Sequence, residues 1–236
     1  MQQILGYMRR AVDDYKMIKP GDKIAVGISG GKDSMVLLKA LSEFQKYFKI
    51  PFDLVGITID PGFENKPGDF SQIQKFADEI GVEYIVKRTN LSEIIFDIRK
   101  ESNPCSLCAR LRRGALHNAT VEAGCNKIAL GHHRDDAGET LLMNLFQEGR
   151  LACFSPVSYL SRKDITMIRP LIFIPERILR NTSVRLSIPI VKSKCPADGV
   201  TMRQEIKQFI SDKEKDDPGF SKKIFGALKR SGISGW

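Results

Sequence analysis

Ser29-Gly30-Gly31-Lys32-Asp33-Ser34 sets two glycines, a cation, a carboxylate and two hydroxyls side by side. Those residue types suit an anion such as phosphate: glycine lets the backbone approach closely and adopt positive φ, and lysine adds charge. Far downstream, Cys105 and Cys108 stand at C-x-x-C spacing, which can bring two thiolates onto one metal. Cys195, in Lys194-Cys195-Pro196-Ala197-Asp198-Gly199, lies in a polar stretch rather than on an apolar face. Three soft ligands suit an iron–sulfur cluster with one iron left open, or a zinc with one open position. Gly131-His132-His133-Arg134-Asp135-Asp136 adds imidazoles and carboxylates. The combination points to a nucleotide-using enzyme that handles sulfur or a metal cluster.

The elements that must position these residues alternate. Ile4, Met8, Ala11, Val12 and Tyr15 recur at helical spacing. Short apolar runs at 23–28, 52–59, 83–87, 127–130 and 165–169 read as five strands. Between them lie helical patterns: Leu37, Leu38, Leu41 and Phe44; Ile73, Phe76, Ala77 and Ile80 behind a Ser71/Gln74 capping box; Leu91, Ile94, Ile95 and Ile98 behind Asn90/Glu93; then 107–122 and 136–148, the last behind an Asp136/Glu139 box. Strands alternating with helices imply an α/β fold, a doubly wound, mainly parallel five-stranded sheet with helices on both faces. In such sheets ligands sit at the carboxyl ends of strands, where both the glycine loop and the His-His motif fall.

Beyond residue 170 the alternation fades. Met202, Ile206, Phe209 and Ile210 mark a helix, 213–219 reads as a charged linker, and Phe220, Ile224, Phe225 and Leu228 mark a last helix. The expected division is an N-terminal helix over 1–22, a nucleotide-binding domain over 23–170, and a mostly helical C-terminal appendage over 171–236 carrying the third cysteine.

The 29–34 loop follows a strand and opens a helix, the geometry that turns backbone N–H groups toward an anion. It is not a Walker A loop: that pattern needs glycine where Val26 sits and Ser or Thr where Asp33 sits. An ordinary tight turn is the alternative. Ser29 to Ser34 resembles the signature of the N-type ATP pyrophosphatases, the PP-loop family. That resemblance implies cleavage of ATP between the α- and β-phosphates and adenylation of a substrate oxygen. It implies ATP contacts at Ile28, Ser29, Gly30, Gly31, Lys32, Asp33 and Ser34, near Ile59 at the end of the second strand, and near Gly131, His132 and Asp136 after the fourth. Asp33 and Asp136 would act with Mg2+, or cap their helices.

The segment from Cys105 through Arg110, Arg112 and Arg113 to Leu116, with Gly131–Asp136, Glu139 and Thr140, is similar to the tRNA 2-thiocytidine synthetases over about residues 7–210. The likeness implies a 4Fe-4S cluster on Cys105, Cys108 and Cys195, whose open iron carries sulfide, and a tRNA substrate with an anticodon-loop cytidine. Sulfide, or sulfur from a cysteine desulfurase, is the expected donor; the sequence leaves the oligomeric state open, a homodimer being one candidate. Asp33 and the three cysteines would be the catalytic set. Two departures stand out. Lys192 takes the place of the earlier cysteine in a late pair, and the terminal zinc-finger cysteines of the thiouridine branch are missing. A lysidine synthetase-like ligase and a redox-sensing nucleotide-binding protein are the competing readings.

Composition fits an ordinary globular protein, with 42% hydrophobic and 28% charged residues. The net charge of +9 suits a polyanionic partner, or only a solvated basic surface. Arg110, Arg112 and Arg113 share that ambiguity. Five cysteines, an odd number, argue against a disulfide framework; Cys125 and Cys153 read as small buried hydrophobes. No apolar run approaches the ~20 residues of a membrane span, and the first residues lack a signal-peptide pattern, so the expected location is the cytoplasm.

Overall fold

The computed structural model describes residues 1–48, 50–63, 67–98, 104–191 and 202–236, and at 96, 97, 104 and 105 the backbone alone. The strands are β1 (Lys23–Gly27), β2 (Asp53–Asp60), β3 (Glu83–Arg88), β4 (Lys127–Ala129), β5 (Val157–Leu160) and β6 (Ile165–Ile168). They form one sheet in the order β3-β2-β1-β4-β6-β5. All neighbours are parallel except β5, which runs antiparallel to β6 at the edge. The fold is therefore α/β and doubly wound, as expected, with six strands rather than five. The unexpected β5 is short, and its Tyr159 is exposed. It turns into β6 through Asp164 at φ 51° rather than through a glycine, so it lacks both an apolar run and a turn signature.

Strand order reverses at β1, which pairs with β2 on one side and β4 on the other. Ile24, Ala25 and Val26 are fully buried because helices cover both faces. Side chains alternate: Ile24 and Val26 join the core shared with α1 (Gln2–Asp14) and α2 (Lys32–Phe48), whereas Ala25 joins the core under α4 (Pro104–Glu122). Ile4, Leu5, Met8, Ala11 and Val12 of α1 are all buried, and each large side chain among them contributes roughly 1.5–3 kcal/mol. The first core also takes in Leu171, Ile172, Phe173, Ile174, Leu179 and Leu228.

The remaining helices are α3 (Ser71–Ile80), α5 (Arg134–Glu148), α6 (Glu176–Arg185), α7 (Met202–Asp216) and α8 (Phe220–Ser231), with a π-helix over Glu93–Ile98 where an α-helix was expected. Three local expectations are corrected. The Ser71 N–H donates to Asp69 Oδ1, and α3 has no side-chain cap of its own, so no Ser71/Gln74 box forms. Helix α5 starts two residues earlier than 136: His133 is its cap, and the box is His133/Asp136 rather than Asp136/Glu139. Most of the linker expected over 213–219 continues α7, because Lys and Glu are good helix formers. Glu214 then accepts the Gly219 and Ser221 N–H groups at 2.7 and 2.8 Å, fixing the turn into α8. Among the described residues no helix is long and apolar enough to cross a membrane.

Candidate functional site

The site grows from the reversal point of the sheet. After β1 the chain turns through Ile28 and Ser29 into α2. The Ile28 N–H donates to Ile57 O at 2.8 Å, and Ile28 O accepts from Thr58 Oγ1 at 3.0 Å, which pins the loop to β2. Ser34 closes the loop on itself: its Oγ accepts the Ser29 N–H at 3.2 Å and donates to Gly31 O at 2.9 Å. Gly30 adopts φ +82°, which favours glycine, and a Cβ there would lie 3.0 Å from Val191 O. The Val191 N–H donates to Gly30 O at 3.0 Å, so the segment after α6 crosses directly over the loop.

A cavity of about 630 Å³ opens beside this crossing. Ser29 and Gly31 from the loop, Thr58, Ile59 and Asp60 from β2, Arg112 from α4, and Ile190 and Val191 line it. Asp60 shapes the rim, its two oxygens accepting the Gly62 and Gly68 N–H groups at 3.1 and 2.9 Å. Tyr84 donates to Thr58 Oγ1 at 2.6 Å beneath the floor, and burial pushes its phenol up to about 12.

The β4–α5 loop closes the other side. Gly131 packs so tightly on the start of α2 that a Cβ would stand 3.0 Å from both Asp33 C and Ser34 N. The residues expected around the phosphates, from Ser29 to Ser34 with Gly131 and Asp136, therefore share one end of the sheet. Asp136 accepts the His133 N–H at 2.9 Å, and His133 Nε2 stands 3.9 Å from Asp33 Oδ2. His132 turns away onto the Phe154 ring, at 4.9 Å between centroids, and its Nδ1 accepts from Arg169 Nε at 3.2 Å. Burial and the Arg169 charge push His132 down to about 4.

Charge concentrates on Lys32. Its Nζ lies 3.0 Å from Asp33 Oδ2 and 2.8 Å from Glu176 Oε1. Burial alone would lower the Lys32 ammonium, but bonds to Glu176 and Asp33 outweigh it and raise it. Asp33 Oδ1 is buried with no hydrogen-bond partner among the described residues. A carboxylate oxygen left over beside a phosphate loop fits a hard divalent cation such as Mg2+. Sequence reasoning missed Glu176, Arg169, Arg203 and Lys207. Arg203 lies 3.0 Å from Glu139 Oε2 and 3.5 Å from Asp136 Oδ1. Burial and the neighbouring Asp136 nevertheless raise the Glu139 carboxyl. These residues sit at ordinary amphipathic positions, and nothing in their spacing marks them.

Cys105 and Cys108 fall in the first turns of α4. Cys108 is partly buried, and Arg112, one turn on and on the same face, lines the cavity. The Cys105 side chain and the whole of Cys195 lie outside the described residues, as does Lys192. Cys195 follows Val191 by four residues, a reach of at most ~14 Å. The donor chemistry fits an iron–sulfur cluster, and among the described residues Arg112 of the cysteine-bearing helix and Ile190 and Val191, the last before the Cys195 stretch, line the cavity. Cys125 is buried, as expected. Cys153 is partly buried, its thiol donates to Ala137 O at 3.5 Å, and burial pushes it up to about 11.

A family model described as the PP-loop domain matches residues 6–214. The chain is 38% identical over 222 residues to the tRNA-cytidine(32) 2-sulfurtransferase of Pelobacter propionicus, covering 93% of this chain and 82% of that protein. It is 36% identical over 230 residues to the protein of the same name in Geobacter sulfurreducens, covering 96% and 89%. Among solved structures, the U34-tRNA thiolase NcsA from Methanococcus maripaludis with its 4Fe-4S cluster matches with a TM-score of 0.77 and 28% identity, over 97% of this chain and 78% of that one. The NAD+ synthetase of Burkholderia pseudomallei, at 13% identity and a TM-score of 0.51 over 97% of this chain and 88% of that one, shares the fold alone.

Proposed function

The chain belongs to the PP-loop family, grouping with the tRNA-cytidine(32) 2-sulfurtransferases, and from that premise we propose that it is an ATP-dependent tRNA sulfurtransferase. It adenylates the C2 oxygen of an anticodon-loop cytidine and replaces that oxygen with sulfur. The observation that carries this reading is the cavity on which three stretches converge: the phosphate loop through Ser29 and Gly31, the cysteine-bearing helix through Arg112, and the approach to Cys195 through Ile190 and Val191.

In this mechanism the nucleotide lies against Ile59 at the end of β2, with its phosphates at the N-terminus of α2 and Lys32. Asp33 and Asp136 would hold magnesium, which supplies charge neutralisation at the phosphates. The cytidine C2 oxygen attacks the α-phosphorus, pyrophosphate leaves, and the C2–O bond is activated as an adenylate. A sulfide sulfur then adds at C2 and AMP departs. Cys105, Cys108 and Cys195 would hold a 4Fe-4S cluster, which supplies an iron able to carry sulfide. The protein's own contribution is positioning and charge: Lys32 against the phosphates, Arg112 in the cavity, and Ile190–Val191 excluding water above the loop. Exposed Arg110 and Arg113 on α4 suit the tRNA backbone. The same reading takes sulfide or desulfurase-derived sulfur as donor, a homodimer as the assembly and the cytoplasm as the location. It treats 23–170 as the nucleotide-binding unit between the flanking segments 1–22 and 171–236.

The test is anaerobic purification, metal analysis, and incubation with tRNA, ATP and sulfide, followed by nucleoside mass spectrometry. About four irons per chain, 2-thiocytidine and one AMP per thiolation are expected. Cys105→Ser, Cys108→Ser and Cys195→Ser should each abolish thiolation and keep ATP binding. Full thiolation by any of the three would remove that cysteine. Thiolated uridine instead of cytidine would overturn the base assignment. An iron-free protein that adenylates tRNA would be a ligase, and one without pyrophosphate release a sensor.

A further inference from the structure

Glu176 is the first residue of α6, and its backbone N–H donates to Asp135 Oδ2 at 2.8 Å, lashing the start of α6 to the first turn of α5. The carboxylate is divided. Oε1 meets Lys32 Nζ at 2.8 Å and the outer Arg180 at 3.5 Å, while Oε2 meets Lys207 Nζ at 2.8 Å. Glu176 is 9% exposed, so little of its carboxylate is left to water. Burial works to raise its carboxyl, but the bonds from Lys207 and Lys32 hold it down at about 2. It is therefore a permanent anion whose place is fixed from two sides.

Lysine is a poor fixed ligand by itself, since its four-carbon stem loses side-chain entropy on being held. Its ammonium has three donors. Here Asp33 and Glu176 take two of them, which leaves one for a phosphate and sets where it points. An uncompensated carboxylate at that distance would also repel a polyphosphate. Lys207 removes that cost. It lies one turn beyond Arg203 on α7, and Arg203 stands 3.0 Å from Glu139 and 3.5 Å from Asp136. The helix thus lays two cations on carboxylates that flank the loop.

We propose that Glu176 is the positioning residue of the phosphate-loop lysine, and that Lys207 is the counter-charge that lets it work beside a nucleotide polyphosphate. This rests on the reading of the 29–34 loop as the ATP site. The Lys32–Glu176–Lys207 chain ties α7 to the loop, so ATP affinity depends on a helix that does not line the cavity.

The experiment measures ATP dissociation constants, and KM and kcat for AMP formation, on the full-length holoprotein. Glu176→Gln keeps the shape and should weaken ATP binding by roughly tenfold, raise KM in parallel, and move kcat by less than about threefold. Lys207→Met should weaken binding by about threefold, because Glu176 then faces the phosphates uncompensated. In a Lys32→Ala background, Glu176→Gln should cost less than about twofold, since no lysine is left to position. Thermal melting of each variant checks the fold, and Lys207→Met serves if Glu176→Gln melts. Unchanged affinity in a folded Glu176→Gln protein would overturn the proposal. So would a full penalty in the Lys32→Ala background, which marks a merely structural role. Wild-type protein that binds no ATP would overturn the loop assignment itself, and the proposal with it.

Discussion

Two lysine–carboxylate pairs stand at opposite ends of the same strands, and they differ in how completely they are satisfied. At the amino ends, Lys127 Nζ lies 2.6 Å from Asp22 Oδ2, with side-chain exposures of 9% and 6%. Lys127 also donates to Met17 O at 2.9 Å, and Asp22 accepts from Asn126 Nδ2 and the Lys19 N–H at 2.9 and 2.6 Å. Asn126 in turn accepts the Lys23 N–H at 2.9 Å. The group is closed and clasps β1 to β4. At the carboxyl ends, Lys32 meets Asp33 and Glu176 while Asp33 Oδ1 has no partner among the described residues. The side chains and the sheet are the same. What separates a clasp from a site is the hydrogen-bonding capacity left over, because an unsatisfied buried polar group persists only where something else repays it.

The largest loss of stability should come from Lys127→Met. It strands Asp22 in a buried place, so we expect a loss of about 3–5 kcal/mol, read as a fall in Tm of roughly 6–20 °C. ATP affinity of the protein that remains folded should not change. The pair also predicts an acid limb. Burial works to raise the Asp22 carboxyl, but its bonds from Lys127, Lys19 and Asn126 hold it below the ordinary aspartate value. A depressed carboxyl stabilises fully above the unfolded pKa of about 3.9, and that contribution is lost as pH falls through the folded value. Melting curves below about pH 4 should show this limb in the wild type and a shallower one in Asp22→Asn. Equal limbs would mean that the clasp is not the group being titrated.

Asp33→Asn attacks the other end and should behave oppositely. It gives up only the partly exposed Lys32 pair, worth about 0–1 kcal/mol, so Tm should barely move. AMP formation should drop about 100-fold, close to 2.7 kcal/mol in the barrier. A variant that loses stability and keeps turnover would exchange the roles of the two pairs. Gly131→Ala is milder. Its Cβ would press on Asp33 C and Ser34 N at 3.0 Å, and such overpacking costs about 1–3 kcal/mol. Because the strain falls on the loop, calorimetry should find weaker ATP binding as well as a lower Tm; a lower Tm alone would confine the contact to packing.

The sequence already held the parts of this picture that are contiguous. Ser29 to Ser34 is legible because six functional residue types stand in a row between an apolar run and a helical pattern. The strands β1, β2 and β4 are legible because burial on both faces makes them continuously apolar. Glu176 is not legible: an acid in a first helical turn reads as a complement to the helix dipole, and only folding brings it to Lys32. Arg203 and Lys207 look like solvent-facing charges of α7 for the same reason. The capping boxes misled in a different way. Asp136/Glu139 matches the familiar spacing, yet His133 supplies the cap, and histidine is outside the usual cap set. The edge strand β5 was lost because a four-residue strand ending in a charged turn gives no periodicity to read.

The smallest expected effect lies between the two ends, at His132. Its Nδ1 accepts from Arg169 Nε at 3.2 Å, so the ring proton sits on Nε2. Burial and the Arg169 guanidinium, itself 4.8 Å above the Phe154 ring, push the imidazole down to about 4. A histidine kept neutral in the fold but protonated in the unfolded chain stabilises fully above the unfolded pKa of about 6.5. That contribution is lost as pH falls from there toward 4, because the unfolded state then binds the extra proton. Melting temperatures of wild type and His132→Gln between pH 4.5 and 7.5 should therefore converge as pH falls. The pH–rate profile should show no inflection near 6.5 belonging to His132. An inflection there that His132→Gln abolishes would put a charged imidazole beside the nucleotide, and would move this residue from the satisfied side of the comparison to the unsatisfied one.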